Sequence, residues 1–123
     1  MPDAACSVLL VDDNVPFRHT LALVLEDEGV RTLEATRGDE AEKLLQEVRV
    51  ELFVLDLNLP DTTGVELYTR LSKRGSNTPC VFMTAEASDE LIAEALKLQP
   101  VKLLRKPFEV KLFRDVIRRF VSN

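Results

Sequence analysis

Leu52-Phe53-Val54-Leu55-Asp56 is the stretch on which the fold turns. Four consecutive apolar residues without alternation are the pattern of a strand buried on both faces, as in a parallel sheet covered by helices on each side. A carboxylate closes the run, where a purely structural strand has no use for a charge. Upstream, Ser7-Val8-Leu9-Leu10-Val11 has the same continuous apolar character, and so does Cys80-Val81-Phe82-Met83 downstream.

Between these runs the apolar period lengthens to that of a helix. Phe17, Leu21, Val24 and Leu25 stripe a first helix, with Gly29 suited to its end. Val30 to Ala35 reads as a weaker strand, and Ala41, Leu44, Leu45 and Val48 as a second helix. Leu67, Tyr68 and Leu71 mark a third helix, opened after Gly64 and ended near Gly75. Leu91, Ile92, Ala95 and Leu96 mark a fourth, with Asp89 as its expected cap. Val101 to Leu104 is a fifth strand, and Leu112, Phe113, Val116, Ile117 and Phe120 stripe a last helix. The expected architecture is α/β, a doubly wound (βα)5 parallel sheet of five strands in one domain spanning residues 1–123. No internal repeat is present.

In open parallel sheets, ligands bind beyond the carboxyl ends of the strands. Strand one ends in Asp12-Asp13, strand three in Asp56, strand four in Thr84-Ala85 and strand five in Lys106-Pro107. Three carboxylates, a hydroxyl and an ammonium are thus expected in one crevice. Gathering three negative charges is costly, and one lysine cannot neutralise them. A hard divalent cation can, and Mg²⁺ prefers a few carboxylates, waters and phosphate oxygens. The combination points to phosphoryl chemistry assisted by magnesium. Singly, Asp13 reads as a helix cap, Thr84 as a loop hydroxyl and Lys106 as a surface charge. Their common position at one end of the sheet carries the inference.

Composition narrows the alternatives. The chain has 123 residues, enough for one complete core, and 46% apolar with 30% charged residues, as in a globular domain. No apolar run approaches the ~18 residues of a membrane span, and Met1-Pro2-Asp3 lacks the start of a secretion signal. These features give a cytoplasmic expectation with no membrane association. Two cysteines and one histidine are too few for a soft-metal site. Cys6 and Cys80, each at the start of an apolar run, read as small buried thiols and not as a disulfide. Residues 1–96 carry 8 basic and 19 acidic side chains, and residues 97–123 carry 8 and 2, for a net charge of −5. The overall sign argues against nucleic-acid binding by this domain. The basic C-terminal quarter reads as a solvated helix face or as a docking face for an acidic partner.

The motifs Val11-Asp12-Asp13, Leu55-Asp56-Leu57-Asn58-Leu59-Pro60-Asp61, Gly64, Met83-Thr84-Ala85 and Arg105-Lys106-Pro107-Phe108 resemble the signature of receiver domains of two-component response regulators. The resemblance runs over essentially the whole chain, with every motif in order. It implies a flavodoxin-like strand order 2-1-3-4-5. It also implies that Asp56 accepts a phosphoryl group from a phosphohistidine of a sensor histidine kinase or phosphotransfer protein. Asp13 and Asp56 would ligate Mg²⁺ directly, Asn58 through its main-chain carbonyl, and Asp12 largely through water. Lys106 would pair with a phosphoryl oxygen and sit on a cis peptide with Pro107, and Thr84 would move to bind the phosphorylated state. The resemblance further implies signalling to a downstream effector, and homodimerisation is an option, through the helix 4, strand 5 and helix 5 face.

This chain departs from the family pattern after helix four. It has Gln99-Pro100 where many receivers have Gly-Ala, Leu103 where an aromatic is usual, and Lys102 where the winged-helix transcription factors of the family carry an acidic residue. Competing readings are weaker. A haloacid-dehalogenase-type phosphatase needs an aspartate two residues after the nucleophile, and Asn58 stands there. A flavodoxin-like flavin binder needs a hydroxyl- and glycine-rich loop after strand one, where Asp12-Asp13-Asn14-Val15-Pro16 would repel phosphate. A degenerate scaffold receiver usually lacks an acidic-pair member, the acceptor or the lysine, and all are present. The chain ends just past the fifth helix, so either a single-domain regulator or a receiver cut from a longer protein is expected.

Overall fold

In the computed structural model, residues 6–73 and 77–122 are described. Met1-Pro2-Asp3, Asn123 and the helix end expected near Gly75 lie outside them. The elements alternate as β1 (Ser7–Val11), α1 (Val15–Asp27), β2 (Arg31–Ala35), α2 (Gly38–Leu44), β3 (Leu52–Asp56), α3 (Gly64–Ser72), β4 (Cys80–Thr84), α4 (Asp89–Lys97), β5 (Lys102–Arg105) and α5 (Val110–Val121). All pairings are parallel, in the order β2-β1-β3-β4-β5. The (βα)5 doubly wound sheet is therefore as the sequence implies.

The apolar runs explain the layering. Every residue of β1, β3 and β4 is buried. Strand side chains point alternately to the two faces. One face packs Leu9, Val11, Phe53, Leu55 and Phe82 against Ala41, Leu67, Leu71, Ile92 and Ala95 of α2, α3 and α4. The other packs Val8, Leu10, Val54, Val81 and Met83 against Leu21, Leu25, Phe113 and Ile117 of α1 and α5. The central strands cannot slip by one residue without exchanging the two sets.

Several boundaries differ from the sequence reading. The cap of α4 is Ser88, whose Oγ accepts from the Leu91 amide at 3.1 Å, and Asp89 is instead the first helical residue. A hydroxyl one residue earlier reaches that amide, while Asp89 keeps the favourable place of an acid in the first turn. Helix α2 stops at Leu44, so Leu45 is its cap and Val48 lies beyond it. Strands β2 and β5 start one residue later than expected, at Arg31 and Lys102. Leu96 and Leu112 are exposed at 54% and 41%, and so lie outside the apolar stripes they were placed in. Gly29 takes φ 77° beyond the end of α1, the left-handed conformation that suits glycine.

Both thiols are free. Cys80 is buried, and burial pushes its pKa up to about 12. Cys6 is only half-buried, because it precedes the strand and does not lie within it. Part of the basic C-terminal quarter is consumed inside the domain. Arg114 bridges Asp27 at 2.7 Å and Glu28 at 2.6 Å, and Arg118 reaches Glu28 at 2.9 Å, tying α5 to α1.

Candidate functional site

The carboxyl ends of β1, β3, β4 and β5 meet where the strand order reverses. Asp12, one residue past β1, is fully buried, and its Oδ1 accepts from the Asn14 amide at 2.9 Å. Asn14 then caps α1, accepting from the Phe17 amide at 3.1 Å. Two consecutive side-chain-to-backbone bonds thus fix the turn between the acidic pair and the helix. Asp56, the last residue of β3, is 6% exposed, and its Oδ1 accepts from the Asn58 amide at 2.9 Å.

Lys106 joins the two strands' carboxylates. Its Nζ donates to Asp12 Oδ2 at 2.7 Å and to Asp56 Oδ2 at 2.9 Å, with 13% of the side chain exposed. The backbone that presents it is held by the Lys106 amide donating to the Thr84 carbonyl at 2.7 Å. The Lys106–Pro107 peptide is cis, as the family resemblance implied.

Electrostatics follow from this geometry. Burial pushes the Asp56 carboxyl above the usual carboxylate range, opposed by the Asn58 amide and by Lys106. Burial by itself would lower Lys106, but its hydrogen bonds to Asp12 and Asp56 outweigh that and hold the ammonium charged.

Asp13 is exposed, yet one carboxylate oxygen each from Asp12, Asp13 and Asp56 lie within 4.8 Å of one another. Two of the three acids are therefore buried, where the sequence suggested three buried together in one crevice. This set of hard oxygen donors at the mouth of the site suits Mg²⁺. Thr84, at the end of β4, is 2% exposed, and among the described residues its Oγ1 is the buried side-chain atom left without a hydrogen-bond partner. Such a group invites an explanation from function. Asn58 is exposed, and its side-chain amide donates to the Glu86 carbonyl, linking the loops after β3 and β4.

All six expected site residues, Asp12, Asp13, Asp56, Asn58, Thr84 and Lys106, therefore lie at one end of the sheet. Two neighbours were not singled out by sequence reasoning. Arg18 donates from Nη1 to the Asp12 carbonyl at 2.8 Å and from Nε to Glu34 at 2.9 Å, anchoring the main chain of the acidic pair. Phe17 places its ring under Lys106, with Nζ 4.4 Å from the centroid. Only the helical period marked Phe17 in the sequence, and that signal says core.

Comparison with known proteins agrees with this arrangement. A family model described as the response regulator receiver domain matches residues 8–118. The sporulation initiation phosphotransferase F of Bacillus subtilis is 29% identical, covering 93% of this chain and 92% of its own length. The phosphate regulon transcriptional regulatory protein PhoB of Pseudomonas aeruginosa is 32% identical over 92% of this chain, which spans only 52% of that regulator. Among solved structures, the non-phosphorylated HemR receiver domain of Leptospira biflexa superposes with a TM-score of 0.86 at 32% identity, covering 96% of this chain and 95% of that one. With its fold, its strand-end carboxylates and a family match over nearly all its length, the chain belongs to the receiver domain family of two-component response regulators.

Proposed function

We propose that the chain, as one receiver domain, takes a phosphoryl group from a phosphohistidine onto Asp56 and thereby switches a signalling surface. The observation that carries this reading is the Lys106 ammonium bridging two buried carboxylates beside an unpartnered Thr84 hydroxyl. That is a site with a nucleophile, a fixed positive charge and a spare donor. Asp12, Asp13, Asp56 and the Asn58 carbonyl are the groups that would hold Mg²⁺. When bound, the ion offsets the negative charge gathered around the transferred group.

The chain's own residues do the rest. An Asp56 carboxylate oxygen attacks phosphorus in line with the departing histidine nitrogen. The new O–P bond forms as the N–P bond breaks, and the imidazole leaves with a proton from solvent. Lys106 stabilises the charge on the phosphoryl oxygens. The hydroxyl of Thr84 donates to the product. A new anion with strong acceptor oxygens orders any nearby donor, so movement of Thr84 reshapes the loop toward α4. The domain is thus a switch that catalyses its own phosphorylation and dephosphorylation.

Its partners on this reading are a sensor histidine kinase or phosphotransfer protein upstream and an effector downstream, in the cytoplasm. Pairing of two copies through α4, β5 and α5 is part of the same proposal. Among the described residues, no helix is long and apolar enough to cross a membrane.

The test is intact-mass measurement after incubation with Mg²⁺ and acetyl phosphate. One phosphoryl adduct is expected on the wild type and none on Asp56→Asn. Asp13→Ala should slow uptake, while His19→Gln should leave it unchanged. The same adduct on Asp56→Asn would show that the acceptor is elsewhere.

A further inference from the structure

The Lys106 ammonium has three protons to donate. Two are taken by Asp12 and Asp56. A further close contact is the face of Phe17, 4.4 Å from Nζ to the ring centroid and well inside cation–π range. The ring is itself braced. It meets Phe108 edge-to-face at 5.6 Å and 80°, and Phe108 leans on Phe113 at 6.3 Å. Phe113 is fully buried in the core shared by α1 and α5. At its backbone end, Phe17 is held by the Asn14 cap. Three aromatic rings therefore run from the core to the site ammonium.

We propose that Phe17 is a positioning residue for phosphoryl transfer, its ring face holding the Lys106 ammonium over the acceptor while the carboxylate partners change. This rests on the reading of Asp56 and Lys106 given above. Both carboxylates that hold Lys106 at rest are drawn into the reaction. Asp56 becomes an acyl phosphate, and Asp12 faces the cation that the acidic cluster would bind. The ring is a contact of the ammonium that neither event alters. It contributes no proton and competes for no lone pair. It confines the end of a long, otherwise mobile side chain to the volume where the phosphoryl oxygens arrive.

The experiment replaces Phe17 by Leu, by Tyr, and by phenylalanines carrying one, two or three ring fluorines, which weaken the quadrupole at nearly constant size. Phosphorylation is followed by intact mass with Mg²⁺ and phosphoramidate, a small donor that needs no partner protein. Lys106 ε-methylene proton shifts are read by NMR in the metal-free, unphosphorylated protein. The initial rate should fall roughly threefold to tenfold in Phe17→Leu, a range set by the strength of a partly desolvated cation–π contact. It should fall stepwise with each added fluorine and recover in Phe17→Tyr. An upfield ring-current shift at Lys106 should be present in the wild type and lost in Phe17→Leu.

A flat fluorine series overturns the proposal even if leucine slows the reaction, because packing alone responds to shape and not to ring charge. Absence of the upfield shift overturns it as well. A wild-type protein that takes no phosphoryl group at all would instead refute the acceptor site, and the shift still decides whether ring and ammonium meet.

Discussion

A single methyl group added at Gly64 tests how tightly the acceptor is held. Gly64 opens α3 and lies against the end of β3. A Cβ there would stand 2.6 Å from the Asp56 carbonyl oxygen, 3.1 Å from Leu57 Cα and 3.2 Å from the Asp56 carbonyl carbon. All three atoms are main chain, at and just past the end of β3, which is buried on both faces, so no side chain can swing aside. The Gly64 amide also donates to the Leu57 carbonyl at 3.0 Å, which keeps the two segments in register. Overpacking of this kind costs about 1–3 kcal/mol. The opposing gain from replacing glycine by alanine in a helix is at most about 1 kcal/mol, and smaller in the first turn. The steric effect wins, and Gly64→Ala should be destabilised by about 2 kcal/mol, or roughly 8 °C in Tm at about 4 °C per kcal/mol for a domain of this size. Urea and thermal unfolding of the metal-free protein measure this directly. The shift needed to relieve the contact also moves Asp56, so uptake from acetyl phosphate should slow about threefold to tenfold, since small misplacements of reacting groups are expensive. An alanine variant as stable as the wild type, taking up phosphoryl groups at the same rate, would refute the reasoning.

Further expectations concern the site and its surroundings. Asp56→Asn should be more stable than the wild type at neutral pH. Burial raises the Asp56 pKa above its ordinary 3.8, so its stabilising contribution is complete below that value and lost as pH rises through the folded pKa; denaturant midpoints that do not diverge between pH 4 and 7 would contradict this. Gln99, at φ 54° after α4, sits where a side chain is strained. Gln99→Gly should therefore gain about 0.5–1 kcal/mol despite the freer unfolded chain, and a lowered Tm would count against that strain. Beryllofluoride with Mg²⁺ should change amide exchange across residues 84–98 while Leu103 stays nearly unchanged. Changes confined to Leu103 and α5 would show that the signal leaves by another route.

The layered fold was legible because the central strands carry unbroken apolar runs and the helices a clear period, and each signal survives without tertiary information. The site was legible for a related reason. Asp12, Asp56, Thr84 and Lys106 all sit at or just beyond strand ends, where β-topology alone sends them to one place. Helix ends were less visible. Ser88 and Asp89 are both good caps, and only the local geometry decides which oxygen reaches the Leu91 amide. The conformation of Gln99 gives a physical reason for the glycine that many receivers place in that region. Phe17 and Arg18 stayed hidden because their partners are 89 residues away for one and a main-chain carbonyl for the other. No spacing rule marks a ring that packs against Phe108 on one side and turns its face to an ammonium.

The resting site is unbalanced in two ways, and both bear on why it can switch. Three carboxylates against one ammonium leave two formal negative charges at the mouth. A further anion is opposed there unless a cation offsets them, so on the proposed reading phosphoryl acceptance depends on metal. The second imbalance has the opposite sense. A buried hydroxyl without a partner, as at Thr84, costs about 1–3 kcal/mol, and that cost is recovered only when an acceptor arrives. A phosphoryl group on Asp56 supplies such acceptors. At about 1.4 kcal/mol per tenfold, recovering that cost is enough to shift a two-state loop by roughly one to two orders of magnitude. No rotating aromatic on β5 is then required. Leu103 packs partly buried against the core at rest, and on the reading proposed above the two states differ by the hydrogen bond that Thr84 gives to the phosphoryl group.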